Sequence, residues 1–147
     1  MTSELKVRLV REIAAPREAV YNAWLDPVLL ARFLKPAPGV TVIDEHVDAR
    51  EGGELRLTMI AGETRIPIRG VYRRIDRFDR LEFTWLSSRT LESSLVRLRF
   101  DEVGPERTRL TLEHVGFSDE ASRRDHEGGW GGVLDELALA LAGIEDS

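Results

Sequence analysis

The chain has 147 residues, 42% of them hydrophobic, enough for one domain with a sizeable core; its net charge of −5 argues against a nucleic-acid partner, whose phosphates need clustered positive charge. The absence of cysteine removes disulfides, thiolate metal sites and a cysteine nucleophile together. With no signal-peptide pattern and no run approaching the ~20 apolar residues of a membrane helix, a cytoplasmic protein without membrane insertion is expected.

Glu4 to Ala14 alternates as a strand, with Leu5, Val7, Leu9 and Ile13 on one face. Pro16 stops it and suits the first turn of a helix, because its fixed φ is helical and its missing N–H would be unpaired there. Val20, Ala23 and Trp24 follow at helical spacing, which predicts a short amphipathic helix over Pro16 to Leu25. Asp26-Pro27 repeats the start signal with an acidic N-cap, and Leu29, Leu30 and Phe33 form the buried stripe of a second helix that Lys35-Pro-Ala-Pro-Gly39 ends.

From Val40 to Val115 the period changes to two. Strands are predicted over Val40 to Val47, Glu54 to Ile60, Arg65 to Ile75, Leu81 to Ser87, Glu92 to Glu102 and Arg107 to Val115, with turns between them. The connections have hairpin lengths, too short for helical crossovers, so the sheet is antiparallel. Ser118-Asp-Glu-Ala opens a terminal helix reaching Ala142, in which Trp130, Leu134, Leu137 and Leu141 share one face. Gly128, Gly129, Gly131 and Gly132 flank Trp130 and predict a loosened segment there, since glycine costs roughly 1 kcal/mol relative to alanine in a helix. Gly131 and Gly132 differ by about 100° around a helix, so one of them is expected to meet a neighbour and the other not. Strand, two short helices, six strands and a long helix make an α+β helix-grip fold, in which the helix covers a curved antiparallel sheet of about seven strands.

Several chemistries lack support. Neither Gly-x-Ser-x-Gly nor a Gly-x-x-x-x-Gly-Lys loop occurs, and His46, His114 and His126 lack the spacing of a His-Glu-x-x-His metal motif, so no metal and no cofactor is expected. Asp44, Glu45 and His46 look like a site in one dimension, yet strand alternation divides adjacent side chains between two faces. Arg97, Arg99 and Glu113 fall on the solvent side of their strands. His114 extends the inward register of Leu110 and Leu112; it reads first as a histidine hydrogen-bonded at a strand end and second as a titratable group at one end of a cavity. His126, four residues before Trp130, is on the same side of the helix or at the cavity rim. Trp24, Trp85 and Trp130 read first as core residues and second as residues bordering one cavity.

Ala15-Pro-Arg-Glu-Ala-Val-Tyr-Asn-Ala-Trp-Leu-Asp-Pro27, then Gly52-Gly53, Gly70-Val-Tyr through Arg80-Leu-Glu-Phe-Thr-Trp85, and Gly129-Trp130 with Leu134 and Leu137 together resemble the START-like SRPBCC superfamily. The nearest branch is the one named for the activator of heat shock protein 90 ATPase. The resemblance spans nearly the whole chain and implies a START/Bet v 1-like domain over residues 1–147, with a hydrophobic cavity between the sheet and the long terminal helix. It implies no single reaction, since related domains bind lipids, hormones or polyketides, some are cyclases, and the eukaryotic namesake is a co-chaperone. The chain reads as one domain without that namesake's additional N-terminal chaperone-binding domain, which argues against a co-chaperone role.

The leading expectation is therefore noncatalytic binding of a small apolar or amphipathic ligand, with Trp24, Phe33, Met59, Trp85, His114, Trp130 and Leu134 as candidate cavity residues. The alternatives are a cyclase, isomerase or hydrolase in which His114 or a nearby acid positions a proton, and a chaperone-associated or homodimeric protein using the exposed face of the sheet.

Overall fold

The computed structural model describes residues 5–87 and 94–145. Strand β1 (Lys6–Ile13) is followed by helices α1 (Arg17–Ala23) and α2 (Pro27–Phe33). Six strands then run in succession: β2 (Val40–Val47), β3 (Glu54–Ala61), β4 (Thr64–Asp76), β5 (Arg80–Trp85), β6 (Ser94–Gly104) and β7 (Arg107–Val115). Helix α3 (Glu120–Glu145) closes the chain. All seven strands form one antiparallel sheet in the order β1-β7-β6-β5-β4-β3-β2. Each short loop folds its strand back on the one before it, and the first strand is added beside the last; the result is the open, curved sheet of a helix-grip fold.

The alternation divides the sheet into a dry and a wet face. Inward go Leu55, Leu57 and Met59 of β3, Leu81, Phe83 and Trp85 of β5, Val96, Leu98 and Phe100 of β6, and Leu110, Leu112 and His114 of β7, all buried. Outward, charges of alternating sign lie directly opposite one another across five strands, Arg8–Glu113–Arg97–Glu82–Arg74. Cross-strand pairs of opposite charge stabilise such a row by roughly 0.2–1 kcal/mol each, and they keep the arginines from forming the unbroken positive surface that phosphates require.

Helix α3 covers the dry face with Trp130, Val133, Leu134, Leu137 and Leu141, and packs against β1 and α2. Asp26 caps α2 by accepting from the Val28 and Leu29 amides, with Pro27 in the first turn, as expected. Gly70 lets β4 cross closely over β5, since a Cβ there would lie 2.1 Å from the Thr84 carbonyl oxygen.

Four details depart from the sequence reading. Pro16 is the N-cap of α1, not its first helical residue, and the helix stops at Ala23, so Trp24 is its C-cap. In β2 a bulge between Ile43 and His46, with Asp44 at φ 56°, breaks the alternation that divides Asp44, Glu45 and His46. In β1 only Val7 and Ile13 of the expected face are fully buried. Helix α3 is unbroken through its glycines and continues to Glu145. The expected break at 88–91 and the starts of strands at Glu4 and Glu92 lie outside the described residues.

Candidate functional site

A cleft of about 510 Å³ opens where the β2–β4 end of the sheet meets the first half of α3. Its walls are Val40, Met59, Ala61, Ile66 and Ile68 from the strands, Trp85 at the end of β5, Pro36 and Ala37 after α2, and Trp130 and Val133 on α3. Polar side chains come from Ser87 and from one stretch at the start of α3, Arg124, Asp125 and His126. Volume and lining fall within the ordinary range of small-molecule sites.

Of the seven expected cavity residues, Met59, Trp85 and Trp130 are on the wall. Trp24, Phe33, His114 and Leu134 are not; they are packed behind it, between 0% and 2% exposed. Trp24 stacks edge-on to Phe33 at 4.9 Å between centroids and lies 6.4 Å from Trp130, so the two form a second aromatic layer beneath the wall. Leu134 is one residue from the wall residue Val133, and the 100° step of a helix turns it into the core.

His114 is a middle link in a buried polar chain. Its Nδ1 accepts from the Trp130 indole Nε1–H at 2.9 Å, which places its own proton on Nε2, 2.7 Å from Ser94 Oγ. Nε2 therefore donates to Ser94, whose hydroxyl donates in turn to the Trp85 carbonyl at 2.7 Å. Burial, and secondarily the nearby His126, push the His114 pKa down to about 3. A neutral imidazole with both nitrogens engaged and no exposed surface has no lone pair to offer a substrate. The strand-end hydrogen-bonded reading holds; the network holds the Trp130 indole by its N–H and the Trp85 main chain by its carbonyl, and the two rings lie 5.0 Å apart at 56°.

His126 is the opposite case. Its Nδ1 lies 2.8 Å from the Ser122 carbonyl oxygen one turn earlier, an atom that only accepts, so the neutral ring carries its proton on Nδ1 and its lone pair on Nε2. Phe117, 4.9 Å away, and His114, edge-on at 5.4 Å, hold the ring in place.

Gly128 and Gly129 belong to the wall, and Gly131 and Gly132 do not. A Cβ on Gly132 would sit 2.5 Å from the Pro36 carbonyl oxygen, whereas one on Gly131 would meet nothing within 4 Å. Gly132 is thus where α3 rests on the segment after α2, and the expected asymmetry of the pair is present.

Sequence reasoning missed Ser94, Phe117, Pro36, Arg124 and Asp125. Ser94 was findable, as a hydroxyl in the same inward register as Val96, Leu98 and Phe100. Pro36 gives no such signal, because its contact with α3 exists only after folding. Among the described residues there is no cluster of three or more His, Asp and Glu able to hold a metal ion, and no helix is long and apolar enough to cross a membrane.

The fold is widely shared among solved structures. A protein from Chromobacterium violaceum is 26% identical, with a TM-score of 0.83 over 91% of this chain and 95% of its own. The AHSA1 protein from Silicibacter pomeroyi is 28% identical, with a TM-score of 0.78 over 93% and 97%. One from Nitrosomonas europaea covers both chains completely at 24% identity and a TM-score of 0.82, a likeness of fold. No curated protein matches the sequence. The family described as activator of Hsp90 ATPase homolog 1-like protein matches residues 14–142, and the chain belongs to that family, within the START-like SRPBCC superfamily.

Proposed function

We propose that the protein binds a small apolar or amphipathic molecule in the cleft between the sheet and α3. The observation that carries this reading is the distribution of chemistry around a space of about 510 Å³: continuous apolar and aromatic walls, with the charged groups confined to the start of α3. Such a site removes an apolar body from water at roughly 25 cal/mol per Å² while leaving a polar end hydrated. One chain builds the whole cleft, so binding needs no second subunit. Binding is favoured over turnover centred on His114, because that imidazole is enclosed by Trp130 and Ser94.

The test uses N-phenyl-1-naphthylamine, a neutral dye that fluoresces in apolar surroundings. The wild-type protein is expected to bind it, and Ala61→Trp, which places a ring inside the cleft from a half-buried strand end, is expected to weaken binding at least tenfold while leaving the denaturation midpoint within a few degrees. Undiminished dye affinity in a folded Ala61→Trp variant refutes the cleft as the binding site.

A further inference from the structure

We propose that His126 is the polar anchor of the cleft, a fixed hydrogen-bond acceptor that selects ligands carrying a hydroxyl donor on an apolar body. This rests on the binding reading above and names the ligand chemistry within it. The Ser122 carbonyl holds the proton on Nδ1, and that bond turns Nδ1 toward the preceding turn of the helix; Nε2, on the far side of the ring, carries the lone pair. Nε2 makes no hydrogen bond among the described residues, and the ring forms part of the cleft wall. Phe117 and His114 pack against the ring, so the acceptor does not need to be ordered when a ligand arrives.

The neighbouring charges favour a neutral donor over an ion. The charged wall residues Arg124 and Asp125 are adjacent and of opposite sign, so together they offer no net charge to select a carboxylate or an amine. A hydroxyl, by contrast, is matched one-to-one by a single lone pair. The aromatic wall of Trp85 and Trp130 takes the rest of the molecule.

The probes are 1-hydroxypyrene and 1-methoxypyrene, which share one apolar body and differ in the O–H. Titration of the wild-type protein is expected to show about 3- to 10-fold tighter binding of 1-hydroxypyrene, the range of one net hydrogen bond. His126→Phe, which keeps a ring against Phe117, is expected to remove that preference while retaining 1-methoxypyrene binding. In the wild type the His126 Nε2 nitrogen resonance is expected to move with 1-hydroxypyrene and not with 1-methoxypyrene. Equal binding of both probes, or a preference surviving in His126→Phe, overturns the anchor and leaves the cleft reading intact. Loss of the preference in Asp125→Asn instead transfers the acceptor to Asp125 and equally overturns the assignment. If neither probe binds the wild type, the cleft reading itself fails, and the anchor with it.

Discussion

The two ends of the space beneath α3 use the same kinds of residue for different ends. At the packed end, Trp24, Phe33, His114 and Leu134 are buried in the core; at the open end, Trp85, Trp130, Met59 and His126 border a cleft. The two histidines mark the contrast, with opposite tautomers set by their partners: a donor, Trp130 Nε1–H, on Nδ1 of His114, and an acceptor, the Ser122 carbonyl, at Nδ1 of His126. Residue type alone does not separate framework from site. What separates the two histidines is whether both ring nitrogens have been claimed by the fold. Trp130 belongs to both ends, its indole N–H turned to the packed side while its ring faces the cleft.

The largest expected effect breaks the packed end. His114→Leu leaves the Trp130 N–H and the Ser94 oxygen buried without their partner, at about 1–3 kcal/mol for each such group, so a loss of about 2–6 kcal/mol is expected in urea titrations at pH 7.5. The gap between wild type and variant should close on acidification. The folded-state pKa of His114 is depressed from 6.5 to about 3, so below 6.5 the unfolded chain binds a proton that the native protein refuses. The stability that neutral His114 contributes is complete above 6.5 and is lost as pH falls toward 3, by up to about 1.4 kcal/mol per pH unit. A difference between the two proteins that does not change between pH 7.5 and 5 contradicts a neutral, buried His114.

Gly132→Ala is expected to cost about 1–3 kcal/mol, because the added methyl group meets the Pro36 carbonyl and backbone has to move. Since Pro36 lies on the cleft wall, dye affinity is expected to change with it. The smallest effect has the opposite sign. Gly131→Ala enters open space and should stabilise the helix by up to about 1 kcal/mol, through propensity and reduced entropy of the unfolded chain, with dye binding unchanged. Stabilisation by both substitutions would remove Gly132 from the contact between α3 and the segment after α2.

Local physics determined most of the architecture. Period-two runs separated by short turn segments dictate a hairpin meander, because an extended chain with one apolar face has few other ways to pair its backbone. The Asp26-Pro27 start of α2 and the Trp130–Leu141 stripe of α3 were equally legible, since capping and helical periodicity act within one or two turns. Which residues line the cleft was decided by tertiary structure. Trp24, Phe33 and Leu134 carry the pattern of cavity residues as plainly as Met59 and Trp85 do, and lie behind the wall because α2 and the turn of α3 place them there. The roles of the two histidines and of the two central glycines were settled in the same way. Their partners, Ser94 with Trp130, Ser122, and Pro36, become neighbours in these orientations only after α3 is laid across the sheet, and a hydrogen bond or a clash depends on tenths of an ångström that no periodicity encodes.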